Sequence, residues 1–386
     1  MILEHLRLYN FRCYDNAEFR PDPRINVIIG LNGQGKTSIL EAIGLIAFLR
    51  SFRNAKNSEL IKFDETESSI TAMVRNRDLT AQLAVKIWSN RKQATFNGKS
   101  CRYLSEYVGK ISAVSFSPTD LEIIRGSPEN RRVWCDKVSQ TFNPGHTDVA
   151  VRYQKILDQR NKMLKMVADG RSSSLPADFD VWTEELCSWG ARMIHNRIHS
   201  VDKSVDRIGK YYREISHENT EINVRYISDI FDEVPYGQQS QVSLEVMAQL
   251  LRKKLDASSV KEKILGTTTV GPHRDDLELT MGGRLARAFA SQGEVRSLVL
   301  AMRLTEVEIY KTFQGLNPIL LIDDFSSELD ARRRKFLLDY LAENDSQVFL
   351  STTEELQIGK TFVVSEGKIS SSETIANGYS LRDGCQ

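Results

Sequence analysis

Residues 30–37 read Gly30-Leu31-Asn32-Gly33-Gln34-Gly35-Lys36-Thr37, followed by Ser38. The pattern is G-x-x-x-x-G-K-S/T. Its glycines let the backbone curl until successive N–H groups point inward at phosphate. Lys36 would reach the β- and γ-phosphates of a bound nucleotide, and the Thr37 hydroxyl would bind Mg²⁺. A second segment, Ile319-Leu320-Leu321-Ile322-Asp323-Asp324, ends four apolar residues on two adjacent carboxylates. Open α/β sheets bind ligands at the C-terminal ends of their strands. Asp323 is expected to hold Mg²⁺ through water, and Asp324 to orient or deprotonate the attacking water.

These groups need rigid elements on either side. Ile25-Asn26-Val27-Ile28-Ile29 is a β-branched run ending at Gly30, as a buried strand would be. From Thr37 onward Ile39, Leu40, Ile43, Ile46 and Leu49 recur at helical spacing. The N-terminus of that helix adds positive dipole to the phosphate loop. Ile2, Leu6 and Leu8 alternate with polar neighbours, and 69–74, 81–87 and 111–116 read as further strands, with an Asn97-Gly98 turn. Residues 150–215 look helical, broken at Asp169–Pro176, with a second helix from Trp182 to about Ile215. Another helix is expected near Ser243–Leu255. The polar tail after Ile369 is expected to be disordered. The organisation implied is α/β: a discontinuous nucleotide-binding head, 1–148 plus 263–386, with a helical arm domain inserted at 149–262.

The bulk properties narrow the class. The chain has 386 residues, 41% hydrophobic and 27% charged, with a net charge of +1, so any nucleic-acid site must come from local clustering. Its five cysteines, Cys13, Cys101, Cys135, Cys187 and Cys385, form no C-x-x-C pair. That argues against a disulfide framework or zinc site and for a reducing, cytoplasmic setting. No signal-peptide core or membrane-length apolar run is present, so no membrane partner is expected.

Two further segments separate the chain from small kinases. Ser291-Gln292-Gly293-Glu294 lies 32 residues before Asp323 and opens a helix, and Ser326-Ser327-Glu328-Leu329-Asp330 follows the paired acids. Each alone reads as a helix cap. Together they resemble the signature and D-loop of ABC-type ATPases. That resemblance implies a mixed-sheet head in which Ser291, Gly293 and Glu294 of one copy meet ATP held by another copy's P-loop, with Asp330 in the D-loop.

The segments Leu8-Tyr9-Asn10-Phe11-Arg12, Phe116-Ser117-Pro118-Thr119-Asp120-Leu121, Gly126-Ser127-Pro128-Glu129-Asn130-Arg131-Arg132 and Gly271-Pro272-His273-Arg274-Asp275-Asp276-Leu277 occur in that order. The set resembles the RecF family of SMC-like ATPases over nearly the whole chain. The resemblance implies ATP-driven dimerisation, slow hydrolysis, and DNA binding at gaps and single-strand/double-strand junctions. It also implies partnership with RecO and RecR in recombinational repair, replication restart and SOS induction. Arg12 would approach the nucleotide, as the matching residue does in SMC-like heads.

Some positions depart from the ABC pattern. Asp324 replaces a common Glu, Thr353 stands where a switch histidine is frequent, and 116–121 lacks the Q-loop glutamine. Weak turnover is expected. His273 reads either as a turn histidine or as a catalytic one. Basic residues for DNA are sought in Arg50, Arg53 and Lys56 after the P-loop helix, and in Arg197, Lys203, Arg207 and Lys210 on the arm. The competing reading is a P-loop kinase or other small-molecule phosphotransferase, for which neither the 291–294 segment nor the helical insertion has a use.

Overall fold

The computed structural model describes residues 1–371 except 78, 103–105, 233 and 236. Nearly all of the tail after Ile369, with Cys385, lies outside the described residues. In chain order the strands are β1 (Ile2–Phe11), β2 (Tyr14–Phe19), β3 (Ile25–Ile29), β4 (Glu67–Asn76), β5 (Leu79–Trp88), β6 (Arg91–Phe96), β7 (Lys99–Ser100) and β8 (Ala113–Phe116). They continue with β9 (Ile222–Ile227), β10 (Asp276–Met281), β11 (Arg284–Leu285), β12 (Ile319–Ile322), β13 (Val348–Thr352), β14 (Lys360–Ser365) and β15 (Lys368–Ser371). The longer helices are α1 (Lys36–Phe48), α2 (Pro128–Phe142), α3 (His146–Ala168), α4 (Phe179–Ser216), α5 (Leu244–Leu265), α6 (Gln292–Ile309) and α7 (Ala331–Glu343).

The chain divides into two compact units, Met1–Asp120 with Glu306–Gln386, and Leu121–Thr305. The inserted unit is wider than the expected 149–262 because α2 and β10 pack with α4 and β9 of the arm.

The first unit holds two six-stranded sheets. One runs β15-β14-β3-β13-β12-β8, with β14, β3, β13, β12 and β8 parallel. The three strands β8, β12 and β13 are buried at every position, which is why Ile319–Ile322 reads as a solid apolar run. The parallel register aligns Ile322 with Phe116 on one side and Leu350 on the other, and Leu350 with Val27. Four strands therefore deliver their C-terminal ends to one edge.

The second sheet, β2-β1-β4-β5-β6-β7, is antiparallel. A bulge between Leu3 and His5 shifts the alternation of β1, so Leu3 rather than Ile2 joins Leu6 and Leu8 in the core. Asn97 and Gly98 both have positive φ in the β6–β7 hairpin, as a two-residue primed turn requires. Helix α1 touches strands of both sheets, and Ile39–Ala47 is buried on all faces.

In the second unit α3, α4 and α5 form the arm beside the sheet β11-β10-β9. α4 has 38 residues, giving a rod of about 57 Å at 1.5 Å per residue. α5 runs ten residues past the expected end at Leu255. Its final turns are held by a buried ion pair, Glu262 to Arg160 at 2.7 Å, rather than by an apolar stripe. Among the described residues no helix is long and apolar enough to cross a membrane.

Candidate active site

The P-loop leaves β3 and enters α1 at the edge where the parallel strands end. Its curl depends on contacts only glycine permits. Gly35 sits at φ +109°, and a Cβ there would stand 2.6 Å from Cys13 Sγ and 2.8 Å from Tyr14 Oη. At Gly30 a Cβ would lie 2.3 Å from the Val364 carbonyl oxygen. The loop is also tied from outside. Tyr14 Oη donates to the Gly35 carbonyl at 3.0 Å, and the Glu366 N–H donates to Gln34 Oε1 at 2.7 Å.

Lys36 Nζ donates to the Gly30 and Leu31 carbonyls at 2.6 and 3.0 Å and lies 3.5 Å from Asn32 Oδ1. Burial lowers its pKa, while the charges of Asp324 and Asp323 oppose that shift. Thr37 Oγ1 donates to Asp323 Oδ1 at 2.8 Å, and Ser351 Oγ donates to the same oxygen at 2.7 Å. Burial raises the Asp323 pKa, against these two hydrogen bonds and the charge of Arg53. Asp324 adopts a left-handed backbone, φ 53° and ψ 50°, which costs an aspartate about 1 kcal/mol or more. Its N–H donates to Ser351 Oγ at 2.9 Å, so Ser351 holds both acids.

These groups line a cleft of about 630 Å³, within the ~300–1,000 Å³ of small-molecule sites. Its wall includes Arg12, Cys13, Asn32, Gly33, Gly35, Lys36, Thr37, Ser38, Arg53, Ser117, Pro118, Thr119, Asp323, Asp324 and Ser351. The Thr37 hydroxyl beside the Asp323 carboxylate is an oxygen-only donor set suited to a hard cation that completes its shell with phosphate and water.

Arg12 lines the cleft with its guanidinium already engaged. Nε and Nη2 meet the Glu41 carboxylate at 2.8 and 2.9 Å, and Nη1 donates to the Glu59 carbonyl at 2.6 Å. Glu41 is wholly buried in α1 and also accepts from Ser51 Oγ at 2.5 Å. Neither Glu41 nor Ser351 belongs to a motif that the sequence displays. A charged residue inside an otherwise apolar helix was the available signal for the first, and a hydroxyl at the end of a strand parallel to the acid-bearing one for the second.

The remaining predicted residues fall elsewhere. In the second unit Ser291 is exposed and precedes α6. Its N–H donates to Glu294 Oε2 at 2.7 Å, and its Oγ accepts from the Glu294 N–H at 3.2 Å, a reciprocal capping box. Gly293 is half-buried in the first turn of α6. Asp330 caps α7 by accepting from the Arg333 N–H at 2.9 Å. His273 is bonded to Tyr153 Oη at 2.6 Å and to the Thr268 carbonyl at 3.2 Å, and burial lowers its pKa to about 4. It is a neutral turn histidine.

Arg197 is not a DNA contact. It is 2% exposed, bidentate to Asp136 at 2.7 and 2.9 Å, and donates to the Pro272 carbonyl at 2.6 Å. It belongs to the buried stripe Ile194, Arg197, Val201, Ser204 and Ile208, whose helical spacing was visible in the sequence. Lys203 and Lys210 are exposed on the opposite face and Arg207 is half-buried, with Arg207 Nη1 donating to the Lys203 carbonyl at 2.6 Å. Arg50 and Lys56 are exposed, whereas Arg53 lines the cleft.

The family model described as RecF/RecN/SMC N terminal domain matches residues 2–370. Curated relatives include the DNA replication and repair protein RecF of Geobacter sp. strain M21, 36% identical over 381 residues, covering 96% of this chain and all of that one. RecF of Lactobacillus acidophilus is 33% identical and covers 92% of each chain. Among solved structures, the recombination mediator protein RecF with ATP, in the RecFOR pathway, superposes with a TM-score of 0.86 at 30% identity, covering 96% of this chain and 98% of that one. The Smc head domain of Pyrococcus furiosus, at 16% identity and a TM-score of 0.54, shares the fold.

Proposed function

The chain belongs to the RecF/RecN/SMC N-terminal domain family, and on that premise we propose that it is an ATP-gated DNA-binding dimer acting in replication and repair. The observation that carries this reading is the joining of Thr37, Asp323 and Ser351 at one oxygen beside Lys36. That arrangement is what a Mg²⁺-triphosphate needs.

Lys36 leaves the loop carbonyls for the β- and γ-phosphates. Thr37 and Asp323 would hold Mg²⁺, whose charge would neutralise the phosphates. Asp324 orients the attacking water from its left-handed position. Ser291 and Gly293 of a second copy close on the γ-phosphate, so the nucleotide stabilises a dimer through contacts made only there. Asp324 reaches one methylene less far than Glu, and Thr353, 3.3 Å from Ser326 Oγ, offers no imidazole. Hydrolysis is therefore slow and acts as a timer. The closed dimer holds duplex DNA at gaps and junctions, with RecO- and RecR-type proteins as partners. Lys203, Arg207 and Lys210, with Arg50 and Lys56, supply phosphate contacts.

The test is DNA affinity with and without ATP and Mg²⁺, for the native chain and for Lys36→Ala. The proposal expects tighter binding with ATP, a loss of that gain in Lys36→Ala, and DNA-stimulated hydrolysis. Equal DNA affinity in all four conditions would overturn it.

A further inference from the structure

Arg125 lies outside every motif considered so far and ends a short helical turn, Glu122–Arg125. Its guanidinium donates to two backbone carbonyls of the segment that leads into α6: Nη1 to Arg287 O at 2.8 Å and Nη2 to Ala290 O. That segment is a single helical turn, Ala286–Phe289, followed by Ala290 in extended conformation and then Ser291. The last carbonyls of a helical turn have no partner of their own, and a cation is the natural group to take them.

The Ala290 carbonyl and the Ser291 N–H belong to one peptide group. Arg125 holds its oxygen, and the Glu294 carboxylate holds its N–H at 2.7 Å. The plane of that peptide is thereby fixed at both poles. It sets the direction in which Ser291 Oγ points and the angle at which the chain enters α6. Glu294 alone could hold the N–H while the segment before it swung, because the capping box is local to α6. The outer anchor is Arg125.

We propose that Arg125 is a positioning residue for the signature segment, acting through the 290–291 peptide on the groups that meet ATP bound to a second copy. This rests on the two-copy reading above. Arg125 also follows Ser117–Thr119 of the cleft wall by a short stretch of continuous helical turns, Pro118–Leu121 and Glu122–Arg125.

Arg125→Ala is compared with Ser291→Arg, Arg125→Lys and the native chain by light scattering with ATP and Mg²⁺, alongside fluorescent-ATP binding to dilute monomer and thermal melting. The inference expects Arg125→Ala to keep monomer ATP affinity and melting temperature while dimerising at least about tenfold more weakly, a 1.4 kcal/mol loss. Arg125→Lys, which can reach one carbonyl, should recover part of the affinity. A mixture of Arg125→Ala with Lys36→Ala restores one composite site from an intact P-loop and an intact signature, so it should dimerise better than either alone. A folding defect would not show that complementation. If Ser291→Arg abolishes the dimer and Arg125→Ala dimerises like the native chain, the inference fails while the two-copy reading stands. If the native chain never dimerises with ATP, both fail.

Discussion

Removing Arg12 should destabilise the first unit more than neutralising its partner Glu41. The asymmetry comes from exposure. The Glu41 side chain has no solvent access, whereas that of Arg12 is 22% exposed at the cleft. Arg12→Ala strands a buried carboxylate whose described partner is then the Ser51 hydroxyl. Breaking a buried ion pair from one side costs about 3–5 kcal/mol, and the surviving hydroxyl bond argues for the lower end, about 3. Glu41→Gln instead leaves a guanidinium that water can reach, and its amide oxygen still accepts one bond. That loss is nearer 1–2 kcal/mol.

For a unit of this size about 1 kcal/mol corresponds to roughly 2–4 °C in melting temperature. Arg12→Ala should therefore lower the transition by about 6–12 °C, and Glu41→Gln by about one third to two thirds of that. Combining them as Arg12→Ala/Glu41→Gln should cost less than the sum, since the stranded charge is gone. Differential scanning calorimetry at neutral pH, with the nucleotide removed, reads all three. An Arg12→Ala melt within about 2 °C of native, or a Glu41→Gln variant weaker than Arg12→Ala, would refute the exposure argument.

Asp324→Asn keeps the left-handed turn and the Ser351 bond but removes the charge that orients water. It should dimerise with ATP and hydrolyse at least ~100-fold more slowly, as losses of positioned acid–base groups run; native turnover would dismiss Asp324 from that role. Lys203→Glu with Arg207→Glu should weaken DNA binding and flatten its dependence on salt, because phosphate contacts release counterions. An unchanged salt slope would remove this face of α4 from the DNA site. The His273 pKa is lowered from 6.5 to about 4, so its contribution to stability rises with pH across that interval, where the unfolded state binds more protons. Burial raises the Asp275 carboxyl from 3.8 to about 7, so its contribution falls with pH between those values. The two oppose one another, and stability should vary little from pH 4 to 6.5. Asp275→Asn should expose the histidine limb as a stability that climbs with pH, and a flat profile in that variant would sink the assignment.

The candidate site was legible in large part because its motifs are local in sequence. Eight consecutive residues carry the loop, and the apolar run before Asp323 declares both a buried strand and the acid at its end. The pairing that makes it a site was not legible. Thr37 and Asp323 are 286 residues apart, and Ser351 becomes relevant only once β13 is known to lie between β3 and β12. The inward place of Arg197 follows from its helical phase and not from its charge. Its neighbours at three- and four-residue spacing, Ile194, Val201, Ser204 and Ile208, place it on the inward face. The wider second unit, Leu121–Thr305, was not legible for a related reason. α2 carries few apolar residues in sequence, yet Trp134, Cys135 and Val138 bury completely against the arm's unit. Arg125 gave no signal at all, since its partners are backbone carbonyls, which sequence does not distinguish.

The central claim is that ATP bound to one copy recruits the signature of another. Molar mass by light scattering, with and without ATP and Mg²⁺, tests it most directly, with Ser291→Arg as control. The account predicts a monomer of 43.9 kDa without nucleotide, a doubled mass with it, and no doubling in the variant. A native chain that binds ATP and keeps the monomer mass, or a Ser291→Arg variant that doubles like the native one, would contradict it.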